Sequence, residues 1–405
     1  MILCIHPSVL GTSKYLRYDT ATGSYAWVTN ISNSDWVFGD TTVPNSLDVI
    51  LSLYNKNIPQ PIPKEYAQSF KALGINNTNI PWHNVLPARK FYSIIQDILV
   101  VLSKALEVLH KCPYGETFVA ERSLLLGLSR ALVDKQLLAR YMAAENNPTI
   151  KGILRSFLPD GENYAKKVSY DQLATTTGRL TVKSGPSILT LPKRHRDILM
   201  SRYPGGSVIQ VDFVSLEPRL ARLLYAHESS RDLYNEISDN LFNGGLDREH
   251  VKIAVLCALY GASANKLRAV LDNQFNPELA ISKIKDYFGI SDLIAKLRND
   301  MLTSGKIQNF FGRSLSTQSA DNNIMVNHYL QSSAVDVSLL GFSNFVKKIM
   351  LAELRAQPLF VIHDALVLDV HPDDLSKICK FSEEGLHIDG LGKFPIDIDA
   401  IRSPG

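Results

Sequence analysis

Residues 207–225, SVIQVDFVSLEPRLARLLY, constrain this chain more than any other stretch. The apolar run from Ser207 to Val211 suits a buried strand, and the Leu, Ala and Arg residues after Ser215 recur at helical intervals. Asp212 stands where one gives way to the other. A carboxylate at the mouth of a buried strand is held rigidly and exposed by the following turn, as hard divalent cations require of their oxygen ligands. The competing reading of Asp212 is a helix cap. A single acid does not decide between them; what lies at the right distance along the chain does.

The length of 405 residues allows two to four domains. With 45% hydrophobic and 20% charged residues the chain is an ordinary globular one, which excludes a disordered class. No apolar run is long enough to span a membrane, and MILCIHPSVLG lacks the basic region of a signal peptide. Cys4, Cys112, Cys257 and Cys379 have no paired spacing and read as reduced thiols of a cytoplasmic protein. The net charge of +3 is too small to argue for nucleic acid. Between Arg179 and Arg202, however, six basic residues face one acid, Asp197, and that excess suits phosphates as well as it suits a solvated face.

Residues 1–60 read as short strands (MILCI, YLRYD, YAWVTN, WVFGD, LDVILSLY), and the proline-rich stretch 56–88 as a linker. Apolar spacing predicts a helix over 89–111, a turn at CPYG, and a second helix from Thr117 to Glu145, together a projecting hairpin. Residues 166–182 read as two strands around a turn that presents Arg179. Helices are expected at 216–227, 230–240 and 276–304. Another is opened by Asp247 and closed by Gly261, with Arg248, Lys252, Leu256 and Tyr260 on one face over about 18 Å. Two cations, an apolar residue and an aromatic ring in that row can grip a triphosphate and cover a base; an amphipathic helix with a basic end has the same pattern. Residues 307–316 read as a β-turn with Gly312 and Arg313 at its tip, 322–350 as one helix, 360–368 as a hairpin bent at His363–Asp364, 372–388 as a helix and FPIDIDA as a strand. If the strands that end at Asp212 and Asp364 are neighbours, the two carboxylates converge and need cations between them.

With these motifs in that order the chain resembles the polymerase portion of family A DNA polymerases. Asp212-Phe213-Val214-Ser215-Leu216-Glu217-Pro218-Arg219 is similar to the family's motif A. Arg248, Lys252, Tyr260 and Gly261 match motif B, and His363-Asp364-Ala365 matches motif C. Thr177-Gly178-Arg179-Leu180 and the pair Asn327 and Gln331 match two further segments. The resemblance implies an α+β right-hand fold. The palm would combine 166–230 and 306–405, with fingers at 231–305 and a thumb at 85–165; the strand-like runs before them, outside the resemblance, read as a separate β-rich domain of unknown role at 1–84. It implies primer extension with deoxynucleoside triphosphates on a DNA template, using two Mg²⁺ (Mn²⁺ as a substitute) held by Asp212, Asp364 and the carbonyl of Phe213. Arg248 and Lys252 would grip the triphosphate, Lys252 would protonate pyrophosphate, and Glu217 would crowd the sugar 2′ position. Leu256 and Tyr260 would line the base site, and Arg179, Arg194, Asn327, Gln331 and His363 would contact DNA.

The sequence departs from the family at Ser215, Pro218, Tyr234, Leu256, Cys257 and Ala365, which puts sugar and base selection in question. The family's proofreading domain is longer and opens with Asp-x-Glu. Asp19-Thr20-Ala21 lacks the Glu, so no 3′–5′ exonuclease is expected. A monomer without membrane contact is expected, with a replisome partner on the N-terminal domain. The competing functions are a single-subunit RNA polymerase, which Glu217 disfavours, and a non-catalytic DNA-binding homologue, which the retained acids and cations disfavour.

Overall fold

The computed structural model describes residues 1–53, 64–75, 80–110, 114–225, 227–261, 265, 267–268, 271, 275–315 and 321–402. They form two compact units, Met1–Leu126 and Gly127–Gly405.

In the first unit, strands β1 (Ile2–Ile5), β2 (Tyr15–Asp19), β3 (Ser24–Val28) and β4 (Trp36–Phe38) make one sheet in the order β3-β2-β1-β4. β2 is antiparallel to both its neighbours, and β4 runs parallel to β1. The predicted fifth strand, LDVILSLY, is instead helix α1 (Leu47–Leu53). Its buried residues Leu47, Ile50 and Leu51 follow the three- and four-residue spacing of a helix face, and so short an apolar run satisfies either period. Helix α2 (Ala88–His110) buries Phe91, Ile95, Ile98, Leu102 and Leu106, as the spacing predicts. The expected turn at Cys112 and Pro113 lies outside the described residues.

The second expected helix is shorter than its periodicity suggested. α3 (Tyr114–Gly127) ends at Gly127, and a short strand (Leu132–Val133) intervenes before α4 (Lys135–Ala144). Asp134 caps α4, its carboxylate accepting from the amides of Gln136 and Leu137. A strong cap inside a periodic stretch starts a new helix. The division between the units, after Leu126, falls at the end of α3.

The second unit is built on an antiparallel sheet. Its strands β7 (Ser207–Phe213), β8 (Ala356–Ile362), β9 (Ala365–Val370) and β10 (Ile396–Arg402) lie in the order β8-β9-β7-β10; a smaller hairpin pairs β5 (Ser169–Asp171) with β6 (Thr181–Ser184). β7 is an inner strand with Val208, Ile209 and Val211 buried. α5 (Leu216–Leu223) follows it. Helices α6 (Leu233–Phe242), α7 (Arg248–Leu259), α8 (Pro277–Tyr287) and α9 (Ile290–Ser304) share a core with Met325, Val326 and Tyr329 of the 30-residue α10 (Asn322–Leu351). The predicted helix over 372–388 is interrupted: α11 (Leu375–Glu383) stops before Gly385, whose φ is +70°, and Leu386–Ile388 is a strand. No helix among the described residues is long and apolar enough to cross a membrane. Cys4, Cys257 and Cys379 are free thiols; Cys112 lies outside the described residues.

Arg313 is not at an exposed tip. Its guanidinium is buried beside the equally buried Asp336, 3.9 Å away, and donates to the carbonyl of Gln172 at 2.7 Å. Asn309 also donates to Asp336 and to Ser332. Gly178 packs against this guanidinium: a Cβ there would sit 2.3 Å from Arg313 Nη1, and its φ is +77°. The glycine of Thr-Gly-Arg thus lets a buried arginine brace the turn that carries Arg179.

Candidate active site

β7 leads Asp212 to the edge of a cavity of about 810 Å³. Asp212 is not a helix cap. α5 begins four residues later, with Ser215 as the N-cap in left-handed conformation (φ +55°) and without a side-chain capping bond. Register brings the second acid close. Asp212 is paired across the sheet with Ala365, the residue after Asp364, and the amide of Phe213 donates to the carbonyl of Asp364 at 3.3 Å. His363, at φ +55°, makes the sharp bend between β8 and β9 that leaves Asp364 at the strand mouth. The burial of the Asp212 carboxyl, reinforced by the negative charge of Asp364, pushes its pKa up to about 6.

The same cavity is lined by Arg179, Phe213, Glu217, Arg248, Lys252 and Leu256, and also by Gln331, His363 and Asp364. Thus ten of the thirteen residues singled out in the sequence border one space. Three do not. Tyr260 caps the end of α7 and has a buried hydroxyl with no hydrogen-bond partner among the described residues. Arg194 is engaged by Glu145 at 3.2 Å, and the buried side-chain oxygen of Asn327 has no partner among the described residues.

Within the site the cations are already paired. Arg179 Nη2 lies 3.3 Å from Glu217 Oε1. Burial raises the Glu217 pKa, Arg179 counters that, and the Asp364 charge raises it further. Arg248 is held by Asp232 at 3.3 Å and by Glu249 at 3.1 Å, and lies over the ring of the buried Tyr234. Lys252 lies 4.0 Å from Glu249. Much of the basic excess between Arg179 and Arg202 is used within the fold: Lys193 pairs with Asp399, Arg202 with the buried Asp369, and Arg196 donates to Gln210. Arg219 of motif A is structural, because its buried guanidinium donates to the carbonyls of Ser230 and Arg231 and ties down the loop before α6.

Sequence reasoning missed several lining or supporting residues. Asp397 is paired with Asp212 across the other edge of β7, and Asp399 with Gln210. Both belong to FPIDIDA, where the alternation that marked a strand also set two acids on one face. Gln210 donates from Nε2 to Asp212 Oδ2 at 3.3 Å. Ala365 flanks Asp212 on one side and Asp397 on the other, so the acid lost from motif C has a neighbour on the opposite strand.

Asp212 and Asp364 suit a hard cation. Both are oxygen donors, half-buried at a cavity edge, and the charge of one disfavours that of the other. Among the described residues no group of three or more His, Cys, Asp or Glu side chains forms a metal cluster. Two carboxylates are nevertheless enough for Mg²⁺, which keeps waters and takes substrate phosphates as further ligands.

Residues 95–400 match the model of DNA polymerase family A. The chain belongs to DNA polymerase family A. DNA polymerase I of Pseudomonas aeruginosa is 23% identical over 338 residues, covering 74% of this chain and 36% of that protein. DNA polymerase I of Bacillus caldotenax is 21% identical over 295 residues, 64% of this chain and 33% of that one. The chain therefore spans about a third of the length of these relatives. The POL domain of Pol1 from M. smegmatis, solved in complex with DNA primer-template and dNTP, superposes with a TM-score of 0.57 at 14% identity, over 89% of this chain and 80% of that one. The family A fold is thus the α+β polymerase fold expected from the motifs.

Proposed function

We propose that this family A chain is a template-directed DNA polymerase that extends a primer 3′ end with deoxynucleoside triphosphates. The observation that carries the reading is the meeting of Asp212 and Asp364 at one cavity edge whose lining also includes Arg248 and Lys252. Asp212, Asp364 and the backbone carbonyl of Phe213 would hold two Mg²⁺, or Mn²⁺ in their place. Bound there, the ions lower the pKa of the primer hydroxyl and offset charge on the leaving pyrophosphate. Arg248 and Lys252 exchange their carboxylate partners for the triphosphate, and Lys252 Nζ supplies a proton to the departing pyrophosphate. Leu256 and Tyr260 cover the base. Arg179, Arg194, Asn327, Gln331 and His363 position template and primer, partly through minor-groove acceptors common to all base pairs. Residues 166–230 and 306–405 serve as palm, 231–305 as fingers and 85–165 as thumb.

Glu217 excludes ribonucleotides by occupying the space of a 2′-hydroxyl, and Arg179 fixes its carboxylate in that position. In Glu217→Ala, ribonucleotide incorporation relative to deoxynucleotide should rise by about 10- to 100-fold, the scale of one small steric group. Parallel primer extension with both sugars measures it. Equal use of both sugars by the unaltered protein would favour an RNA polymerase instead.

The same reading includes the absence of 3′–5′ exonuclease activity. Asp19 Oδ1 accepts from the amide of Ala21 at 2.9 Å, a turn-stabilising bond. Digestion of single strands by pure protein, lost in Asp19→Ala, would overturn it. A cytoplasmic, monomeric enzyme with a replisome partner on residues 1–84 completes the proposal.

A further inference from the structure

The first unit has a cavity of its own, of about 310 Å³, lined by Lys14, Trp27, His83, Phe91 and Tyr92 together with small residues. That volume is at the lower end for small-molecule sites, about 300–1,000 Å³, and holds one base with its sugar. Its composition is specific. Trp27 and the half-exposed Tyr92 are large aromatic faces, Lys14 and His83 are exposed, and among the described residues no carboxylate lines the space. His83 is fixed there by a hydrogen bond from its Nδ1 to the carbonyl of Gly11. Arg89 and Lys90, both exposed, follow the lining residue Ala88 in the first turn of α2.

The aromatic surface continues beyond the cavity. Trp27 lies on β3, an edge strand of its sheet. Tyr25, 40% exposed, is two residues away on the same face and is paired with Tyr18 of β2. Residues two apart on a strand are about 6.7 Å apart, within the reach of consecutive bases of an extended, unstacked nucleic-acid strand. Aromatic rings in a row with cations beside them bind single strands without sequence preference, the rings stacking on bases and the cations meeting phosphates.

We propose that this groove is a single-stranded DNA site, separate from the catalytic cavity, with Trp27 and Tyr92 stacking on bases and Lys14 and His83 contacting the backbone. The proposal extends the DNA-handling reading to a second surface, but its test needs no catalysis. Trp36 and Trp82 are buried, so among the three tryptophans Trp27 alone is open to a stacking base. Intrinsic fluorescence of the full chain is followed on titration with an oligothymidylate of about 12 nucleotides.

Emission should be quenched to saturation, and Tyr92→Ala and Lys14→Glu should each weaken the titration about ten-fold. Lys14→Glu should extend a primer with a one-nucleotide template overhang normally. Asp364→Ala should lose extension and keep the quenching, which separates this site from the catalytic one. Emission unchanged at saturating oligonucleotide, quenching unaffected by both substitutions, or equal quenching by inorganic polyphosphate would overturn the proposal.

Discussion

Primer extension should fall by about 10³-fold or more in Asp364→Ala, and equally in Asp212→Ala, because each would remove a ligand from the proposed metal site, where bound ions would supply several kcal/mol of transition-state charge stabilisation. Radiolabelled extension in Mg²⁺ measures this, and persistence of activity in Asp364→Ala would remove the assigned site. The loss should not come from unfolding. In the metal-free protein the Asp212 pKa is pushed up from 3.8 to about 6 by burial and by Asp364. A carboxyl whose folded pKa lies above its unfolded value binds extra protons in the native state, so stability falls as pH rises from about 4 through 6. Asp364→Ala removes one cause of that rise. At pH 7 without metal it should be more stable than the unaltered chain by about 1 kcal/mol, a figure reduced for solvent screening at a half-buried group. Mg²⁺ should raise the melting temperature of the unaltered chain and leave that of Asp364→Ala unchanged. A dead but stabilised variant is the expected signature.

Asp336→Ala should cost about 3–5 kcal/mol, because it strands the buried Arg313 charge and takes an acceptor from Asn309. For a unit of this size that lowers the melting temperature by roughly 10 °C. Calorimetry at pH 7 tests it. Asp336→Asn should lose less, since an amide still accepts from Asn309. Polymerase activity should drop beyond what global stability explains, because Arg313 fills the space beside Gly178 and so sets the Arg179–Glu217 pair. A change under about 1 kcal/mol would mean that water replaces the pair at small cost.

The strands and helices around the cavity at Asp212 were legible because their signals are local. The strand before Asp212, the Asp247 cap and the four-residue spacing of Arg248, Lys252 and Leu256 each follow from residue type and period, and five motifs in order raised them from patterns to a site. What escaped depends on tertiary partners. Arg313 looked like an exposed turn residue until Asp336, on α10, was placed beside it. The basic run from Arg179 to Arg202 looked open to phosphates until Asp369, Asp399 and Glu145 were found opposite. LDVILSLY satisfies two periods, and only packing chose the helix. The long helix expected to reach Glu145 overlooked a glycine and a capping aspartate, the two residue types that most often end one helix and begin another.

β7 finds its partners late. Its neighbours on both sides, β9 and β10, come from the last part of the sequence, so a growing chain exposes the strand bearing Asp212 for roughly 10 s or more at ~5–20 residues per second. Until then both of its edges are open templates for pairing with other chains. Yield in cells should therefore depend on translation speed and on chaperone supply more than melting temperature suggests, and slow refolding from denaturant should be the rule for any chain wired in this order.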